Sequence, residues 1–520
     1  MGRDLVLGSV FLVAAAAKEA PDIIFVLADD LGFNEVGFQN ASRGLVTPEL
    51  DRLAREGVIL TQYYVQPICS PTRSALMTGR YTGRLGTQSN VIYWDTPWGV
   101  ALEETFLAEN LKDAGYETAI FGKWHLGMFR EAYLPTRRGF DAYAGYLQGC
   151  ESAWTHVSAC CAANSSTSDE TWTCQNGSAR FDGYDWWAGT APDASVVGDK
   201  SVDVVRARAE AFLRGRGAAP YFLYLPFQNI HMPYTTKPEF RALYEAMALT
   251  ENEKTVWGYV SELDDAVGAV AAAAEATGRF DDAVFVFSSD NGAPPHDGLD
   301  HGGEWSARNF PFRGHKAQLW EGGVRVPAFV RCPKRLRPGR SDALVHVTDW
   351  LPTLVGVAGG STARNRPLDG RDVWAALAGS GPSPRVDVVL GLSPLCGSGQ
   401  AQSPKAALRR GSLKLAAFCY DVKGVDGATA TGPRPGANMS AVFDSRGLAL
   451  FDVLADPGET TNLLPHPAVT GLLAVLEAYA NASVEPMQWE APYQGAAYAC
   501  ADCPRHPPSA GPFAPWGPWL

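Results

Sequence analysis

Three continuous apolar runs dominate the pattern of the chain: Asp22–Ala28, Tyr221–Pro226 and Asp282–Ser288. An apolar run without alternation is the signature of a strand buried on both faces, as in a parallel sheet. Glu117–Phe121 reads as a shorter strand, and the mostly apolar Val324–Val330 as another, ending before Cys332 and Pro333. Helical periodicity separates them, over Thr47–Glu56, Leu102–Ala114 (closed by Gly115), Asp199–Leu213 and Glu253–Ala276. Strands alternating with helices predict an α/β fold: a mainly parallel sheet with helices on both faces.

The pattern changes after about residue 390. Short strands are expected at Ser412–Cys419 and Leu448–Val453 and a helix at Thr470–Ala480, which makes residues 391–500 a smaller α+β unit with its own antiparallel sheet. Residues 18–390 form the large unit, and 501–520 a Pro- and Trp-rich irregular tail. Residues 150–190, rich in Cys, Ser, Thr, Trp and Gly, lack periodicity and read as a surface insertion held by disulfides. No internal repeat is present.

At the N-terminus, Arg3 precedes an apolar run from Leu5 to Ala17 that is too short to span a bilayer. It reads as a signal peptide, residues 1–17, cleaved near Ala17 or Lys18; a signal anchor or a buried strand is the alternative. No later stretch suits a membrane helix, so no stable membrane insertion is expected. Composition is ordinary for a globular chain, with 46% hydrophobic and 19% charged residues, enough for a large core. The net charge of −12 and the absence of a Lys/Arg-rich run argue against a nucleic-acid partner but leave room for a local basic pocket.

Ten cysteines fit an oxidising compartment. Cys332 is the candidate buried free thiol. Apart from Cys69, the others group as Cys150, Cys160, Cys161 and Cys174; Cys396 and Cys419; Cys500 and Cys503, with the pairing of the first group open. Glycosylation sequons lie at Asn40, Asn164, Asn176, Asn438 and Asn481. Together with the signal peptide they suggest the secretory pathway, extracellular or lysosomal.

Asp29 and Asp30, and likewise Asp290 and Asn291, stand just past the carboxyl end of an apolar strand. Parallel strands bring such ends together, where open α/β sheets place ligands. Three carboxylates and an amide oxygen suit Ca2+ or Mg2+; two ordinary Asp-rich turns remain the alternative. Lys123, His125 and His231 also follow strands, and Lys316 follows a Gly-, His- and Asp-containing loop at 293–310. With Arg73 they would make a basic, anion-binding pocket on the same rim. Cys69 precedes a predicted helix with Ser70 as its N-cap and Pro71 at the first position, beside unpaired N–H groups. By itself it is open to three readings: disulfide half, buried thiol or thiolate nucleophile. His296, Asp297, Asp300 and His301 could form a second metal site, but no strand end fixes them, and a substrate-facing or solvated loop is preferred.

The run Cys69-Ser70-Pro71-Thr72-Arg73, followed by Leu76-Met77-Thr78-Gly79-Arg80, resembles the sulfatase signature. Gly115-Tyr116-Glu117-Thr118-Ala119-Ile120-Phe121-Gly122-Lys123-Trp124-His125 resembles the second sulfatase signature. Asp29-Asp30-Leu31-Gly32 and Asp290-Asn291-Gly292 are similar to the family's metal motifs, and Asp456-Pro457-Gly458-Glu459 with Asn462-Leu463 to its C-terminal domain. Leu134-Pro135-Thr136-Arg137-Arg138-Gly139-Phe140, Leu319-Trp320-Glu321-Gly322-Gly323 and Asp349-Trp350-Leu351-Pro352-Thr353-Leu354 are most similar to the arylsulfatase B (N-acetylgalactosamine-4-sulfatase) branch.

The resemblance implies an alkaline-phosphatase-like fold and hydrolysis of sulfate esters on sulfated sugars or aryl sulfates. It implies that Cys69 is converted to formylglycine by the formylglycine-generating enzyme, which leaves nine cysteines and so at least one unpaired. It implies one Ca2+ held by Asp29, Asp30, Asp290, Asn291 and the modified Cys69. Arg73 and Lys123 would stabilise the formylglycine and the sulfate, and His125 would help break down the covalent sulfate intermediate. His231 and Lys316 would bind sulfate and assist the leaving oxygen. Where the branch carries cysteines, this chain has Tyr133 and the Cys-free stretch 95–100, consistent with loss of one bridge. The runner-up readings are a phosphatase or phosphodiesterase of the same superfamily, which uses Ser or Thr and two zinc ions, and a non-catalytic sulfated-glycan-binding protein.

Overall fold

The structure, a computed structural model, describes residues 20–40, 44–93, 98–160, 181–294, 308–392, 404–418 and 447–484. Four strands form the middle of a ten-stranded sheet, side by side and parallel: Val284–Ser289, Ile23–Ala28, Tyr221–Pro226 and Glu117–Phe121. Odd positions of the first strand (Ile23, Phe25, Leu27) enter one core and even positions (Ile24, Val26, Ala28) the other. Both faces are buried, which is why the run carries no polar alternation. One face is covered by Leu76, Leu107, Leu111 and Leu354, the opposite face by Leu53, Val205, Val260 and Val267.

Toward one margin come Ala328–Arg331 and Val58–Leu60, each antiparallel to its inner neighbour, and then Gly339–Ser341, parallel. Toward the other lie Ala142–Gly145, parallel, and the short Trp187–Ala188 and Ala191–Pro192 pair, antiparallel. The sheet is thus parallel at its centre and mixed at its flanks. A separate four-stranded antiparallel sheet is built from Asp387–Leu392, Ala406–Arg410, Leu413–Ala417 and Leu448–Asp452. Helix Val469–Asn481 packs on it through Leu472 and Leu476. Its first strand begins upstream of residue 391.

Local expectations shift in three places. The Leu102–Ala114 pattern becomes a helix only at Leu107–Asp113; Glu109 accepts the Phe106 N–H at 2.6 Å and fixes the start there. The Val324–Val330 run divides into the end of a short helix, Glu321–Val324, and the strand Ala328–Arg331. The insertion contains an antiparallel pair, Val157–Cys160 with Phe181–Tyr184. Cys332 is a buried free thiol that donates to the Asp282 carbonyl at 3.3 Å.

Among the described residues no helix is long and apolar enough to cross a membrane. Asn40 is partly exposed and Asn481 exposed. The signal peptide, Asn164, Asn176, Asn438, Cys161, Cys174, Cys396, Cys419, Cys500, Cys503, the His296–His301 residues and the tail lie outside the described residues.

Candidate active site

The strand register puts the acids together. Ile23–Ala28 pairs with Val284–Ser289 so that Ala28 faces Ser289, and Asp29 and Asp290 follow as neighbours at the carboxyl edge. Asp30, with φ 63, turns the chain at once, and its N–H donates to Asp290 Oδ1 at 3.3 Å. Asn291 donates through Nδ2 to Asp30 Oδ1 at 2.7 Å, while its own Oδ1 is buried without a hydrogen-bond partner.

Cys69 is the first residue of the helix Cys69–Thr78, with extended Ile68 as its N-cap. Ser70 does not cap. Its hydroxyl donates instead to the His125 carbonyl (2.9 Å) and accepts the Ile92 N–H (3.0 Å), tying the helix start to the His125 loop. The Thr72 hydroxyl lies 2.5 Å from the Asp290 carbonyl and accepts the Gln66 N–H at 2.9 Å. The helix start is therefore fixed directly over the strand ends, and the Cys69 thiol donates to Asp29 Oδ1 at 3.7 Å.

Around the acids stand three cations, Arg73 and Lys123 buried and Lys316 partly buried. Arg73 reaches Asp290 Oδ2 through Nη2 (2.7 Å) and Nε (3.1 Å), and Asp29 Oδ2 through Nη2 (3.2 Å). Lys123 donates to Asp29 Oδ2 at 2.5 Å. Lys316 lies 2.7 Å and 2.8 Å from the two Asp30 oxygens. His231 Nε2 is 3.8 Å from Asp30 Oδ2, and its Nδ1 sits 2.7 Å from the Met232 carbonyl. The His125 Nδ1 is buried with no partner. All six residues expected to act on substrate and all five expected metal ligands thus occupy one rim.

Asp29, Asp30, Cys69 and His231 each offer one ligand atom within 4.8 Å of the others. Asp290 is turned toward Arg73 and does not belong to that tight group; His231, expected only as a sulfate contact, does.

Electrostatics follow from burial and from these neighbours. Burial would raise the Asp29 and Asp30 pKa values, but Lys123 at Asp29 and Lys316 at Asp30, with His231, hold both below the ordinary value. Asp290, buried beside Asp29, is pushed up to about 6. Burial works against charge on Lys123 and Lys316, yet Asp29 and Asp30 keep each above the ordinary lysine value. Burial and Lys316 bring His231 down to about 4, and burial with Lys123 and Arg73 holds His125 well below its ordinary value. Both imidazoles are neutral at neutral pH and able to accept a proton. Burial pushes the Cys69 thiol up to about 12.

The donor set fits a hard divalent cation. Asp29 and Asp30 stand together with the orphaned Asn291 Oδ1 beside them, Asp290 lies next to them on Arg73, and a lysine ammonium already straddles one carboxylate. Sequence reasoning missed a second layer. Arg308 is fully buried; it donates to Glu35 (2.6 Å), to the Tyr234 hydroxyl (3.1 Å) and to the Asp30 carbonyl (3.3 Å). The Asn309 side chain exchanges hydrogen bonds with both backbone groups of Ala293, at 2.9 Å each. No periodicity marks these residues, because their partners are remote in sequence.

An α/β sheet with metal-suited acids, cations and a cysteine-headed helix at its carboxyl edge makes a site suited to an anion. The family model for sulfatases matches residues 21–361, and the chain belongs to the sulfatase family. Arylsulfatase J of Mus musculus is 35% identical over 387 residues, 73% of this chain and 59% of that protein; the chain thus spans less than two thirds of that relative. Steryl-sulfatase of Mus musculus is 30% identical over 583 residues, covering 99% and 88%. Arylsulfatase A of Bos taurus is 31% identical over 464 residues, covering 86% and 84%. Among solved structures, Ps i-CgsB in complex with k-i-k-neocarrahexaose superposes with a TM-score of 0.71 at 25% identity, over 90% of this chain and 94% of that one. These relatives span several branches, so they show the sulfatase family and leave the expected arylsulfatase B branch open.

Proposed function

We propose that the protein hydrolyses sulfate esters at Cys69, with Cys69 matured to formylglycine and Ca2+ held by Asp29, Asp30, Asp290, Asn291 and residue 69. The observation that carries this reading is the buried Asn291 Oδ1, left without a partner amid carboxylates directly beneath the head of the Cys69 helix. Ca2+ there would supply fixed positive charge for sulfuryl oxygens and for the nucleophile. Formylglycine would supply a hydrated aldehyde, one hydroxyl to attack sulfur and a second to let sulfate depart.

The chain's own groups complete the chemistry. Arg73 and Lys123 hold the nucleophile side of the pocket positive and keep Asp29 ionised. Lys316, the least buried of the three cations, binds sulfate and protonates the leaving oxygen, with neutral His231 orienting the ester beside it. The vacant His125 Nδ1 accepts the proton whose removal releases sulfate. The near-complete burial of Cys69, Arg73 and Lys123 excludes bulk water and strengthens each of these contacts.

Sulfated carbohydrates and aryl sulfates are the proposed substrates, in keeping with the arylsulfatase relatives and the neocarrahexaose-bound neighbour. Formylglycine-generating enzyme is the proposed maturation partner, and the secretory pathway, extracellular or lysosomal, the proposed location, on the strength of the 1–17 segment and the sequons. One observation favours a second reading. A thiol and an imidazole lie in the tightest ligand group, and softer donors suit zinc and phosphate-ester chemistry.

The deciding assay measures inorganic sulfate released from 4-nitrophenyl sulfate and from defined sulfated sugars, alongside 4-nitrophenyl phosphate. Sulfate release abolished by Cys69→Ala is expected; phosphate release without sulfate release would favour the phosphate-ester reading instead.

A further inference from the structure

Two motifs with no part in the pocket meet in the structure. Glu459, from the turn after the last strand of the C-terminal sheet, accepts the Glu321 N–H at 2.7 Å. Lys414, from the Leu413–Ala417 strand, is 3.1 Å from Glu321 Oε1 and 2.9 Å from Glu459 Oε1, and all three side chains are fully buried. Glu459 has φ 52, in the left-handed region disfavoured for a residue with a side chain. Buried charges are expensive, and an apolar contact would dock two sheets at lower cost.

The segment they hold carries Lys316. Arg313 Nη1 donates to the Glu459 carbonyl at 3.1 Å, and Gly322 N–H donates back to the Arg313 carbonyl at 2.7 Å. Residues 313–323 therefore form a bow whose two feet, Arg313 and Glu321, both rest on Glu459. At the apex Lys316 N–H donates to the Ala293 carbonyl (3.0 Å) and its ammonium reaches Asp30. The far foot also touches the metal-motif strand end, through Gly292 N–H to the Gly323 carbonyl at 3.0 Å.

From this geometry we infer that Glu459 and Lys414 are positioning residues: from the C-terminal sheet they clamp the 313–323 bow and so set where the Lys316 ammonium stands in the pocket. This rests on the sulfatase reading for its catalytic consequence but not for the clamp itself. If the clamp acts through the Lys316 ammonium, its effect on turnover is lost when that ammonium is removed.

The clamp is tested without turnover by hydrogen exchange of full-length protein: Glu459→Gln should speed exchange across 313–323 and leave the central strands unchanged. Unchanged exchange in 313–323 overturns the clamp, whatever the activity. The catalytic link is tested with 4-nitrophenyl sulfate in a double-mutant cycle. Glu459→Gln should lower kcat/KM about tenfold in the wild-type background and about twofold or less in Lys316→Ala. An equal loss in both backgrounds would show a general structural role and overturn the positioning claim. Should Glu459→Gln not fold, Arg313→Gln removes the other foot, the one that rests on the Glu459 carbonyl, and carries the same expectations. A wild-type protein with no sulfate ester activity would refute the functional reading, and the exchange result alone would then decide the clamp.

Discussion

Arg73 is the cation that two of the buried acids share. It is fully buried and shares its guanidinium between Asp29 and Asp290. Replacing it with methionine keeps the volume but leaves two carboxylates without that partner, and breaking a buried pair in this way costs about 3–5 kcal/mol. Arg73→Met is therefore expected to lower stability by that order in chemical denaturation; an unchanged midpoint would show that the acids have other compensation. Gly149 has a different role. A Cβ there would lie 2.9 Å from His125 Cε1, so the absence of a side chain is what lets the imidazole stand where it does. Gly149→Ala should lower kcat about 10–100-fold with the melting temperature nearly unchanged, because small displacements of a reacting group are costly in rate. A kcat within twofold of wild type would contradict that placement.

At the scale of elements, the turn after the Val284–Ser289 strand is the tightest junction. A Cβ on Gly292 would lie 1.8 Å from the Gly322 carbonyl oxygen, a backbone atom that cannot swing away. Gly292→Ala should separate the Asn291 turn from the 313–323 bow, costing about 1–3 kcal/mol of stability and most of the activity. A crystal structure of the variant with the Gly292–Gly323 hydrogen bond intact would contradict this. The strands that carry the site were legible because burial on both faces leaves an unbroken apolar run, and the acids at their ends stand beside one another by register. The Cys69 helix was legible but its cap was not. Ser70 has a better partner in the His125 carbonyl, and a tertiary hydrogen bond overrode the local preference. Leu102 fits the helical period, yet it is exposed and the helix begins five residues later, where Glu109 fixes the start. Glu459 could be matched to a family motif, but its partner Glu321 is 138 residues away, and nothing local announces the contact.

At the scale of the molecule, several acids outside the set of pocket residues are buried with few or no charges to balance them. Asp185 accepts Leu147 N–H, Gln148 N–H and Trp187 Nε1–H, and burial raises its pKa to about 8. Asp264, accepting Glu49 and Leu50 N–H at a helix start, is raised by burial to about 7. Asp22 is raised by burial to about 6 despite Arg279. An acid whose pKa is higher in the folded than in the unfolded chain is protonated preferentially when folded. The folded state then binds more protons between the unfolded value of 3.8 and the raised value, so stability grows as pH falls through that window. By these acids the melting temperature should be higher at pH 5 than at pH 8, against the opposite pull of His125 and His231, which the fold keeps neutral. A higher melting temperature at pH 8, unchanged by Asp185→Asn and Asp264→Asn, would contradict this.

The chemistry of the whole pocket turns on what stands at position 69, and peptide mass spectrometry reads it directly. Protein produced with formylglycine-generating enzyme and active on 4-nitrophenyl sulfate should yield a peptide spanning Cys69 that bears an aldehyde in place of the thiol. An unmodified Cys69 throughout fully active protein would contradict the mechanism.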